Sequence, residues 1–219
     1  MRRRLLTLFA VAMTAITLLI PSFASAKTLP EGVILDERTR NARADLEFKR
    51  GCIETHIDIV TQVTHQDWMD GTVYDDVLAG IYIDSYNLCT DESVLGIEFY
   101  AEDFDVDVNQ KLIGARMRGE AMAYNFVGEN SGDIPVKLDV FWVPAGRTKT
   151  VTETDEFMSP LPTTGEQVLT ISNSTDYERR AIAIGVLKVG NQTFPIFAHG
   201  EETLLYGFDA TWKMAPAEN

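Results

Sequence analysis

The chain has 219 residues, 33 Asp+Glu against 19 Lys+Arg, two cysteines and a formal charge of −14. Apolar residues make up 45% and aromatics 10%, too rich for a disordered acidic chain. The charge opposes a nucleic-acid partner, which needs a basic face, and two cysteines are too few for a disulfide-scaffold miniprotein.

Residues 1–26 read as a secretory signal peptide. Arg2, Arg3 and Arg4 supply the charged start, Leu5 to Ile20 an apolar or neutral run, and Pro21 a helix breaker. Ala24-Ser25-Ala26 places small residues where a signal peptidase requires them. The run has 16 residues, short of the ~20 a spanning helix needs. Cleavage after Ala26 would leave 193 residues with 16 basic (19 less the three arginines) and 33 acidic, a charge of −17. The expected product is secreted or periplasmic, with no membrane insertion after cleavage and no affinity for nucleic acid.

Residues 27–41 show no clear period and are expected to form an N-terminal arm. Residues 42–215 alternate apolar and polar positions, the period-2 mark of strands, and read as one domain. Predicted strands cover 44–49, 52–63, 77–88, 96–102, 111–124, 135–143, 148–154, 166–171, 181–189, 193–198 and 203–212. In 135–143 the inward set is Val136, Leu138, Val140 and Trp142; in 203–212 it is Leu204, Tyr206, Phe208, Ala210 and Trp212. Gly190-Asn191 is a tight hairpin signal, and Asp70-Gly71 marks another turn. Pro195 cannot donate to a ladder, so its strand belongs at an edge. No amphipathic helix of three turns is evident. The fold expected is all-β, an antiparallel β-sandwich of about ten strands, followed by a short tail at 216–219.

Cys52 opens one predicted strand and Cys89 closes another. If these strands are antiparallel neighbours, the thiols meet, and an oxidising compartment would join them as a disulfide. The competing reading is a thiol nucleophile with a His base. Gly51-Cys52, then Tyr86-Asn87-Leu88-Cys89-Thr90, then Asn109–Glu120 (NQKLIGARMRGE) follow in order. This series resembles a group of secreted bacterial proteins with a Gly-Cys strand and a Tyr-x-x-Cys strand. The resemblance implies an exported β-rich fold and carries no activity.

Glu54, His56 and Asp58 alternate along one strand, so their side chains share a face about 7 Å apart. Such a row could hold a metal or orient a general base, or be the solvated side of a strand backed by isoleucines. Asp103, Asp105, Asp107 and Asn109 form an oxygen-rich run suited to Ca²⁺. It is not an EF-hand loop, because Val108 and Gly114 replace the required Gly and Glu; the alternative is an acidic hairpin loop. No other cofactor is indicated.

Arg116 and Arg118 are expected to pair with Glu98 and Glu102 across strands. Trp68, Tyr82, Tyr86 and Phe141 fall outside the core rows and could serve a carbohydrate or protein ligand. There is no Gly-x-Ser-x-Gly, His-Glu-x-x-His or P-loop. The expected function is a non-enzymatic binding or structural module. The rivals are a secreted hydrolase with loop carboxylates and an adhesion or matrix subunit that pairs through an edge strand.

Overall fold

A computed structural model describes residues 32–101, 104–127, 131–160 and 167–216. The segment 1–26 expected to be a signal peptide, the start of the expected arm and residues 217–219 lie outside them. The described chain is all-β, with ten strands in one antiparallel sheet. They are β1 (Gly32–Arg50), β2 (Ile53–Trp68), β3 (Val73–Asn87), β4 (Glu92–Ala101), β5 (Asp105–Val108), β6 (Ala115–Asn125), β7 (Gly132–Pro144), β8 (Lys149–Pro160), β9 (Gln167–Val189) and β10 (Gln192–Pro216).

The ten strands form one sheet bent over a single core. Its order is β10-β1-β2-β3-β4-β6-β7-β9-β8, and β10 also pairs with β9, so the hydrogen-bonded path closes on itself. The inward rows follow the alternation read from sequence. Ile57 and Ile59 of β2, Ile81 and Ile83 of β3, Ile97 of β4, and Val136, Leu138, Val140 and Trp142 of β7 are buried together with Leu187 of β9. Burying each such side chain is worth about 1.5–3 kcal/mol. The indole nitrogen of Trp142 also donates to the Arg43 carbonyl at 2.9 Å, tying β7 to β1 through the core.

Two glycines are forced by geometry. Gly190 has φ 56° in the two-residue turn between β9 and β10, a left-handed position costly for a side chain. A Cβ at Gly185 would sit 2.1 Å from the Asp139 carbonyl oxygen, so the β7 and β9 backbones approach closely only because no side chain intervenes.

Cys52 and Cys89 form a disulfide, with Cα atoms 5.5 Å apart. The reason is register: Ile53 pairs with Asn87, and the Leu88 amide donates to the Cys52 carbonyl at 2.8 Å. The thiol-nucleophile reading is thereby removed.

Four expectations are corrected. The arm is a strand from Gly32 onward, because Leu35 to Arg43 pair with β10 on one side and with β2 on the other. The strands predicted at 166–171 and 181–189 are the two ends of β9, and those at 193–198 and 203–212 belong to β10. Within β10 the inward face is inverted at 203–208, while Ala210 is buried as expected. Thr203 and Leu205 are buried, while Leu204, Tyr206 and Phe208 are not, because the register slips between His199 and Leu204. The stretch 109–114 is a turn, and its strand begins at Ala115. The short β5 was not foreseen. It lies over β6, and Phe104 before it covers Gly119.

Pro195 does lie on an edge. Residues 192–199 pair with β9 alone among the described ladders. β8 is likewise an edge strand, paired only with β9.

Candidate functional site

The outer face of β1–β2–β3 collects the row predicted around His56. Cross-strand register sets Asp45 opposite Asp58, Glu47 opposite His56, and Lys49 opposite Glu54; Tyr82 and Asp84 of β3 complete the rows. His56 Nε2 lies 2.9 Å from Asp45 Oδ2, and the ring meets Tyr82 edge-on. Asp58 receives both Nε (3.0 Å) and an Nη (2.9 Å) of Arg43, a two-pronged ion pair. Glu54 turns to Glu47 instead.

The electrostatics follow from these contacts. The hydrogen bond to Asp45 raises the imidazole of His56 above its ordinary value, against a smaller opposing effect of burial. Burial pushes the Asp45 carboxyl up, but His56 and Arg43 outweigh it and hold the group below the usual carboxylate range. Glu47 is raised because it shares a hydrogen bond and a like charge with Glu54. Among the described residues no group of three or more His, Cys, Asp or Glu side chains could hold a metal ion. Glu54, His56 and Asp58 are thus separated by their partners: Glu47, Asp45 and Arg43 take them in turn.

A raised imidazole has a definite sign. Its pairing with Asp45 stabilises the fold fully below the ordinary His value near 6.5, and that contribution disappears as pH rises through the higher folded value. Asp45 stays ionised throughout this range. The gap in melting temperature between the native chain and His56→Gln is therefore expected to be wider at pH 5.5 than at pH 8.5, as differential scanning calorimetry will show.

The acidic run divides. Asp103 lies outside the described residues. Asp105 and Asp107 are exposed on β5, directly opposite Arg118 and Arg116. Asn109 Oδ1 accepts the Lys111 amide at 2.8 Å and so closes the turn. Arginines facing both carboxylates oppose a bound cation. Arg116 and Arg118 turn to Asp139 on β7, at 3.4 and 4.0 Å, and not to Glu98; Glu102 lies outside the described residues. The reason is topological: β4 meets β6 at a single ladder pair, Ile97 with Asn125, whereas β7 runs beside β6 along its whole length.

A feature not legible from one strand lies on the outer face of β7, β9 and β10. Phe141 stands opposite Ile184, which stands opposite Phe197, a row about 10 Å long across three strands. Val143 and Ile182 form the next row. Phe197 is 64% exposed, Val143 50%, Ile184 46% and Phe141 43%. The Arg116 guanidinium covers one end, 4.6 Å from the Phe141 ring centroid, and His199 packs edge-on against Phe197 at the other. In the sequence, Phe141 and Phe197 are simply the off-phase aromatics of two inward-alternating strands. Only register joins them.

Phe197 also borders a trough of about 200 Å³ between β1 and β10, lined by Asp45, Leu46, Glu47, Phe48, Ala198 and His199. A shallower trough of about 490 Å³ lies over β6 and β7, beside the Glu120–Lys137 ion pair. No helix of the described residues is long and apolar enough to cross a membrane. No protein-family model, curated protein or solved structure matches this chain.

Proposed function

We propose that this chain is an exported, non-enzymatic binding module that recognises a protein through the outer face of β7, β9 and β10. The observation that carries the reading is the exposed row Phe141–Ile184–Phe197, with Val143 beside it, on an otherwise strongly acidic chain. Contiguous apolar surface rimmed by charge costs solubility unless a partner covers it. Export follows from the reading of residues 1–26, and a disulfide is at home in the oxidising compartments beyond the cytoplasm.

The hydrolase alternative draws on another surface, the outer face of β1 and β2, and less well. The His56–Asp45 pair has the geometry of an oriented base, but the hydroxyls of the adjoining ladder pair, Thr55 and Ser85, are buried on the opposite face and bonded to each other at 2.8 Å.

A thermal-shift screen of the chain starting at Lys27, against peptides and glycans, tests the reading. A peptide ligand at a hundred times its Kd should stabilise by about 2.7 kcal/mol. The shift should vanish in the double variant Ile184→Ser, Phe197→Ser and persist in Val151→Ser on β8. A shift that survives the double variant, or peptide or glycoside hydrolysis that falls with His56→Gln, contradicts it.

A further inference from the structure

Among the described ladders, the closed path opens where β1 and β10 part. β1 pairs with β10 from Gly32 to Arg43 and not beyond, while its pairing with β2 continues to Arg50. β10 leaves the β1 ladder at Leu204, and its first part, Gln192–His199, pairs with β9 alone. Two strand edges therefore face each other across the trough, each with half of its backbone groups pointing into it. Pro195 and the register slip after His199 explain why they do not zip together: proline removes a donor, and the extra residues of β10 swing it off the ladder. Where pairing stops, the Arg43 carbonyl takes its hydrogen bond from the Trp142 indole nitrogen.

The β4–β6 joint is also thin, but it is filled. Phe104 lies over Gly119, and the Asn125 side chain receives the Gly96 amide at 3.0 Å. Nothing comparable bridges β1 and β10 among the described residues. The trough is more polar than apolar; Leu46, Phe48 and Ala198 are among its lining, and Phe48 packs on Phe194 with ring centroids 6.0 Å apart. Its outer rim is acidic on the β1 side. Asp45 and Glu47 point outward, Glu202 lies beside Asp45, and Glu47 crowds against Glu54. Arg43 and His56 are committed to Asp58 and Asp45; Lys49, two residues from Glu47 on the same face, stands opposite Glu54 and acts on Glu47 as well.

We infer that residues 44–50 of β1 are a strand-addition site for an extended basic segment of a partner protein, alternating apolar and Lys or Arg residues. The partner strand pairs with the open β1 edge. Its apolar side chains rest on Phe48, Phe194 and Ala198, and its cations stand opposite Asp45 and Glu47. Main-chain bonds supply affinity, and the alternation of outward Asp45 and Glu47 with inward Leu46 and Phe48 supplies register and selectivity. The inference extends the recognition reading but stands on backbone edges rather than on the apolar face, so the two can fail separately.

The test uses a blocked decapeptide of alternating lysine and valine, a glutamate–valine counterpart, and the lysine peptide N-methylated at every second residue. Binding to the chain starting at Lys27 is followed by fluorescence anisotropy, and its location by hydrogen exchange. The lysine peptide should bind and slow exchange of amides within 44–50, while the other two bind at least tenfold more weakly. Glu47→Lys should weaken binding at least tenfold, and Glu153→Lys on the remote β8 edge should not. Three results would each overturn the inference: no binding of the lysine peptide, protection confined to other strands, or equal loss in Glu47→Lys and Glu153→Lys. Loss of the ligand shift in Ile184→Ser, Phe197→Ser with this binding intact would separate the two sites.

Discussion

Trp142→Ala is expected to lower the unfolding free energy by about 4 kcal/mol, the range for emptying a large buried aromatic site. Trp142 is 1% exposed and is the largest fully buried side chain. It fills the centre of the sheet from β7 and reaches across to the Arg43 carbonyl of β1. At about 2–4 °C per kcal/mol for a domain of this size, the melting temperature should fall by about 10 °C. Trp142→Phe keeps most of the volume and removes the donor. It should cost less, about 1–3 kcal/mol, the penalty for an unsatisfied buried carbonyl. Urea unfolding of both variants separates the packing contribution from the hydrogen bond. A Trp142→Ala loss below about 1 kcal/mol would mean that the indole is not central to the core.

Removing the disulfide is expected to have an effect of similar size through a different route. Cys52 and Cys89 close a loop with a separation of 37 residues that contains the whole β2–β3 hairpin. On the chain-entropy model such a loop stabilises by about 4 kcal/mol, mostly by restricting the unfolded chain. The double variant Cys52→Ser, Cys89→Ser should therefore unfold at a lower urea concentration with native-like strand content before the transition. Reductant should bring the native chain to the same midpoint and leave the double variant unmoved. A midpoint indifferent to reductant would contradict the staple.

The parts of this fold legible in the sequence were those governed by local alternation. Val136, Leu138, Val140 and Trp142 could be placed inward because a half-buried strand has a strict period of two. The cysteine pairing followed from the same kind of argument, since the ends of neighbouring antiparallel strands meet. The Gly190-Asn191 turn and the edge position of Pro195 followed from backbone chemistry alone.

What the sequence concealed depends on register between distant segments. The phase of β10 was inverted at 203–208 because the register slips after His199, while Ala210 is buried as expected. Asp45, the partner of His56, lies on a different strand from Glu54 and Asp58, so the imidazole's real environment could not be read from the i, i+2, i+4 spacing. Arg116 and Arg118 were assigned to β4 because it precedes them in sequence, but the β4–β6 contact is a single pair. The segment from Gly32 to Asn41 looked structureless because it mixes charged and small residues without a period. Its strand character comes from β2 and β10 on either side, a tertiary effect that overrides local preference.

The stapled β-framework encloses its core with β2, β3, β7 and β9 and leaves stretches of β1 and β10 without a second ladder partner among the described residues, the edges on which the proposed recognition rests. Native-state hydrogen exchange of the free chain tests this most directly, because an amide without a ladder partner exchanges without global unfolding. The account predicts strong protection throughout 57–60, 81–84, 137–142 and 182–187. Within 44–50 and 192–199 it predicts alternation, every second amide fast. Uniformly protected amides along both edges would show that β1 and β10 are zipped together, and would contradict it.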